Sequence, residues 1–249
     1  GIPADTKPHE LIANIGDDLL ARFKSIPLID EYSVYEQLMT YWHNVMHDDV
    51  YLIMADGWQV AAKPRIAIDD KERSLSETPD LVIGTGKTAQ MYKMDLIPPQ
   101  LVVARYFADE QTQVDDFNVS FVAATAALNE HAVEHGGDEG LLRESTNDKG
   151  KYTQQLLNVV IKEARASRDS ETLACAQEAL ALVRAEADAK KAAKDAQAAL
   201  DIATLAKYGE FTVADVEHLV LIDKWVTTLS TRIANEIAAE HVEISARDP

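Results

Sequence analysis

"ADEQTQVDDFNVSFVAATAALNEHAVEHGG", residues 108–137, holds Val114, Phe117, Phe121, Ala124 and Leu128 in steps of three, four, three and four. That spacing lines them along one narrow stripe of a helix, the seam of a coiled coil. Gly136-Gly137 then closes the stretch, since glycine is the residue that most readily follows a helix C-terminus. Turn residues stay scarce downstream. A shorter helix is expected around Tyr152 to Ala166. Residues 171–207 are rich in Ala, Glu and Lys, with Leu173, Leu180, Leu182, Val183, Leu200 and Leu205 as their large apolar side chains. These are strong helix formers. Thr212 is placed to cap a last pair of helices, the second bearing Trp225, Leu229, Ile233 and Ile237.

Working back from the seam, the pattern changes. Residues 9–23 carry Leu11, Ile12, Ile15, Leu19 and Phe23 at helical spacing, and Pro27 ends that run. A second helix is expected from Ser33 to His47, with Val34, Leu38, Tyr41, Trp42 and Val45 on one face and Ser33 and Glu36 as a capping box. Val50 to Ala55 reads as a strand, Asp56-Gly57 as a hairpin turn, and Trp58 to Ile68 as the returning strand. Pro64 confines that strand to a sheet edge, and Asp80 to Ile83 supplies another. The expected fold class is therefore mainly α (α+β). A compact α+β part with a β-hairpin spans 1–107, carrying a small antiparallel sheet among helices, and a long-helix, coiled-coil-like arm spans 108–249.

The 249 residues carry a net charge of −18 and one cysteine, Cys175. An internal disulfide is impossible, and a reducing, cytoplasmic setting is expected. No apolar run approaches the ~20 residues of a membrane span, so no membrane partner is expected. The chain opens without methionine and stops behind a helical pattern, which reads as a piece of something longer. The acidic excess is uneven: −14 over residues 1–140, +1 over 141–208 and −5 over 209–249. Only the middle can approach a phosphate backbone without long-range repulsion. Lys190, Lys191 and Lys194 are the candidate phosphate contacts there.

Residues 79–107, "PDLVIGTGKTAQMYKMDLIPPQLVVARYF", contain fragments of nucleotide-site motifs. Gly84-Thr85-Gly86-Lys87-Thr88 matches the tail of a phosphate-binding loop, but Leu81 stands where the first glycine is required. Pro98-Pro99 is part of the signature of amino methyltransferases, yet Ile97 and Gln100 replace the residue that holds the target amine and the aromatic that stacks on the base. His131, Glu134 and His135 spell an inverted zinc-protease motif without a recognisable third-ligand helix. His43 and His47 are one turn apart, with Asn44 where a general base is needed. Trp42, Trp58 and Trp225 read as core residues. No catalytic, cofactor-binding or metal residue is assigned at this level.

Several stretches together resemble the C-terminal part of the modification (M) subunits of type I restriction-modification systems. They are "PLIDEYSVYEQLMTYWHNVMHDDVYLIMADGW" (27–58), "DLIPPQLVVARYFADEQ" (95–111), "EHGGDEGLL" (134–142), "NDKGKYT" (147–153), "ALDIATLAKY" (199–208) and "FTVADVEHLVLIDKW" (211–225). They cover nearly the whole chain in order. Residues 118–127 depart from the family in being richer in Ala and Thr. The resemblance implies a parent subunit that is an S-adenosylmethionine-dependent DNA adenine-N6 methyltransferase, with its catalytic motifs upstream of the matched region. It implies for this chain a non-enzymatic role without a cofactor of its own. The implied partners are the specificity and restriction subunits, with DNA met through the assembled complex. Val114, Phe117, Phe121, Leu128, Trp225, Leu229 and Ile233 are the candidates for packing against a partner helix. Two other readings stay open: a free-standing coiled-coil adaptor, and a nucleotide-using fragment working through Gly84 to Thr88.

Overall fold

The computed structural model describes residues 7–24, 26, 30–67, 77–137, 140–147 and 150–247. Its contacts group into two compact units, residues 1–106 with 201–249, and residues 107–200. The sequence division at 107 into two consecutive parts therefore differs from the spatial one. The final segment joins the first.

In the first unit, α1 (Pro8–Phe23) packs on α2 (Glu31–Tyr41). Gly16 permits the approach, because a Cβ there would fall 2.7 Å from the Tyr35 ring. The Asp30 carboxylate caps α2 through Tyr32 N, three residues before the expected Ser33 cap. The chain then runs through a π-helical stretch, Trp42–Met46, directly into α3 (His47–Asp56). Leu38, Trp42, Met46 and Val50 are all buried. Steps of four exceed the α-helical repeat, and a widened π turn keeps such residues on one face.

The expected strand at 50–55 and hairpin turn at 56–57 are corrected by this helix; of the expected returning strand, Arg65 and Ile66 are extended and Ile68 lies outside the described residues. Met46, Asp49, Val50 and Ile53 are buried while Tyr51 is exposed, a helical period rather than an alternating one. Gly57 (φ +76°) does not turn a hairpin. It ends α3, donating to the Ile53 carbonyl at 2.8 Å, and a short α4 (Trp58–Ala61) follows. The sheet is small and antiparallel, with order β1-β3-β2 for β1 (Arg65–Ile66), β2 (Leu81–Ile83) and β3 (Gln90–Lys93). Behind Pro64, β1 is an edge strand. The register pairs Ile66 with Tyr92 and Leu81 with Tyr92 across the central strand. α5 (Pro99–Tyr106) closes this half.

The second unit contains α6 (Ala108–His135), α7 (Gln154–Ser167) and most of α8 (Ser170–Tyr208). Thr153 caps α7 by accepting from Leu156 N. The core is Leu142, Tyr152, Leu157, Ile161, Cys175, Ala176, Ala179 and Leu180, with Leu128 packed against it. α8 continues past residue 200 into the first unit. There Thr212 and Asp215 form a capping box for α9 (Val213–His218), which passes through a second π-helical stretch, Leu219–Val226, into α10 (Thr227–Arg247). The expected last pair of helices is thus one continuous helical run with a π-helical middle.

Candidate functional site

The first unit is organised around a buried polar knot. Lys224 Nζ donates to Asp49 Oδ1 at 2.7 Å and to the Leu96 carbonyl at 2.7 Å. Trp225 Nε1 donates to Asp49 Oδ2 at 2.8 Å, and the Tyr41 hydroxyl donates to the Lys224 carbonyl at 3.0 Å. Asp49 and Lys224 are 3% and 8% exposed. Burial pushes the Asp49 carboxyl above its ordinary range, against the opposing pull of Lys224. Beside the knot, the Tyr208 hydroxyl donates to the Ile97 carbonyl at 2.6 Å. Pro98-Pro99 sits in this setting as a helix entry, with Pro99 itself buried.

The glycine stretch lies elsewhere in the same unit. Gly84 (φ +90°) and Gly86 (φ +65°) turn β2 back into β3, so that Ile83 pairs with Gln90. Phosphate-binding glycine loops run from a strand into a helix N-terminus, which supplies the aimed N–H groups. Here the turn runs into another strand. Lys87 and Thr88 are exposed, and Thr88 Oγ1 donates to the Thr85 carbonyl.

The candidate packing residues divide. Trp225 and Ile233 are buried within the first unit, where α10 packs on α2, and Leu229 is half-buried. Val114 is 2% exposed and Leu128 packs on the second unit's core. Phe117 and Phe121 are half-buried, the Lys190 ammonium standing 6.0 Å from the Phe121 ring centroid. That contact is a weak cation–π attraction. Lys190, Lys191 and Lys194 are all exposed on α8. His43 is exposed, and His47 stacks against Tyr51 with ring centroids 4.7 Å apart.

His131 and His135 have a third neighbour that the sequence did not offer. The ligating atoms of His131, His135 and Cys175 lie within 4.8 Å of one another, with Cys175 Sγ 3.9 Å from His131 Nε2. The Tyr152 hydroxyl stands 3.2 Å from His131 Nδ1 and donates to the His131 carbonyl at 3.1 Å. Burial, then the neighbouring His135, lowers the His131 pKa. Burial, then Glu178, Glu134 and Glu171, raises that of the Cys175 thiol. Cys175 is 40 residues beyond His135, and a lone cysteine inside an Ala-rich helix gives no motif. Its one signal is the i, i+1, i+4, i+5 stripe Cys175, Ala176, Ala179 and Leu180. Comparison with protein-family models, with curated proteins and with solved structures returned no match for the chain.

Proposed function

We propose that this chain is the non-catalytic assembly region of a type I restriction-modification DNA methyltransferase subunit. In this role it holds an upstream S-adenosylmethionine-dependent adenine-N6 methyltransferase domain against the specificity subunit through helix packing. The restriction subunit and DNA are met in the assembled complex, and the whole operates in the cytoplasm. One observation carries the reading. The stretches that resemble the family supply the partners of the buried knot: Asp49 from 27–58, Leu96 from 95–111, and Lys224 with Trp225 from 211–225. Tyr208, from 199–208, reaches Ile97 in the same way. Each of these buried polar contacts joins two of the resembling stretches that lie far apart in the chain.

The glycine turn favours this reading over a nucleotide-using fragment, since it joins two antiparallel strands. The free-standing adaptor is distinguished by experiment. A parent M subunit and the same subunit lacking this region are each mixed with the specificity subunit and passed over a sizing column. The intact subunit is expected to co-elute and the shortened one to run free. Equal co-elution of both would overturn the assembly role.

A further inference from the structure

We infer that His131, His135 and Cys175 form a binding site for a zinc-like divalent transition-metal ion, which clamps the end of α6 to the start of α8. The site stands independently of the assembly role. The two imidazoles lie one helical turn apart on α6, with ring centroids 4.6 Å apart, and Cys175 faces them from α8. Two imidazoles and a thiolate are the donors that borderline-soft ions select. Zn–N bonds of ~2.0–2.1 Å and a Zn–S bond of ~2.3 Å place tetrahedral ligand atoms roughly 3.3–3.6 Å apart. Closing three donors from within 4.8 Å needs only side-chain adjustment of about an ångström.

The Tyr152 contacts fit one tautomer of His131. A phenol has one proton, and Tyr152 gives its proton to the His131 carbonyl. With the phenol proton on that carbonyl, His131 Nδ1 is the donor to the phenolic oxygen. That leaves the lone pair on Nε2, the atom that faces Cys175 Sγ. An outer partner that fixes the tautomer of a ligating histidine is the usual support of a metal site. His131 is 7% exposed, and its Nε2 meets this thiol at 3.9 Å. Glu134, Glu171 and Glu178 place negative charge around the cluster. That charge opposes formation of a free thiolate, which argues against a nucleophilic Cys–His pair. A dication reverses the balance, displacing the thiol proton to solvent as the S–metal bond forms. Among the described residues three donors converge, and a fourth coordination position is reached past the half-buried His135.

The test is a Co²⁺ titration of the untagged, chelator-stripped chain under a non-thiol reductant. Cys175 is the single cysteine, so a thiolate-to-cobalt charge-transfer band reports this site alone. The band should saturate at one ion per chain and bleach on adding Zn²⁺. Cys175→Ser should abolish it, and His135→Gln should weaken binding. Tyr152→Phe should keep the band and weaken binding roughly tenfold, as loss of an outer partner does. No band, or one that survives in Cys175→Ser, overturns the inference. Should that variant fail to fold, X-ray absorption of the Zn-loaded native chain decides. One sulfur with two imidazoles supports the site, and a shell without sulfur overturns it.

Discussion

Lys224 gives its charge to a site 8% exposed and is held there by a carboxylate and a backbone carbonyl. Removing one side of such a pair leaves the other charged and buried. Lys224→Met should therefore cost ~3–5 kcal/mol. Adding Asp49→Leu should recover part of that loss, with Trp225 Nε1 then lacking its acceptor. All three tryptophans, Trp42, Trp58 and Trp225, lie in the first unit, so urea unfolding followed by tryptophan fluorescence reads this pair of variants directly. Tyr208 gives a second residue-level test. Burial holds its phenol well above the ordinary value of 10.0, so the unfolded chain ionises from about pH 10 while the folded one does not. Its contribution is fully present below pH 10 and lost as pH rises. Tyr152, pushed up to about 12, adds the same sign between about pH 10 and 12. Tyr208→Phe should flatten the alkaline loss of stability, and should cost ~1–3 kcal/mol at neutral pH by leaving the Ile97 carbonyl unsatisfied. A stability–pH series on both proteins checks both effects. Little of this was legible beforehand. Lys224 sits in the apolar run "LVLIDKW" at four residues from Val220, which hints at a buried cation, but nothing local names Asp49, 175 residues away.

At the scale of elements, long helices were readable and their irregularities were not. α6, α7 and α8 follow from period and composition, because a stripe of apolar residues and a cap specify a helix locally. Residues 50–56 misled, since six consecutive apolar or small residues and Asp-Gly satisfy both a strand with a hairpin and a helix with a glycine stop. Tertiary burial of Met46, Val50 and Ile53 on one face decided for the helix. The π-helical stretches carry no motif of their own. The seam residues of α6 differ in what they touch. Phe121 is half-buried, so Phe121→Ala should cost roughly half of the ~3–5 kcal/mol of a fully buried ring. If the proposed assembly role holds, the remaining exposed face should register as weaker association with a specificity subunit, measured by isothermal titration alongside the melt. Gly140 is a stricter element. A Cβ there would collide with the His135 carbonyl oxygen, which accepts from Leu142 N at 2.8 Å. Gly140→Ala should lower the second unit's stability by ~1–3 kcal/mol through overpacking, visible in circular dichroism and silent in tryptophan fluorescence.

For the whole molecule, charge sets the interactions with nucleic acid. At −18 the isolated chain should bind duplex DNA no better than the ~10⁻⁴ to 10⁻⁶ M of non-specific contacts. Tight, sequence-selective retardation in a gel would count against a role confined to assembly. The grouping of 201–249 with 1–106 has a sharper outcome. A chain ending at Glu210 keeps Asp49 and loses Lys224 and Trp225. It should lose the fluorescence transition of the first unit while retaining the helical melt of the second.

The same grouping bears on how the protein is made. Asp49 leaves the ribosome 175 residues before Lys224, a gap of ~9–35 s at the ~5–20 residues per second of synthesis. Throughout that interval the nascent first half holds a finished set of apolar faces around an acid with no cation. The middle unit can complete itself on the way. Final closure of the first therefore waits for the end of translation, and an arrest before residue 224 should leave a tethered chain open to protease within 31–106 and protected within 107–200.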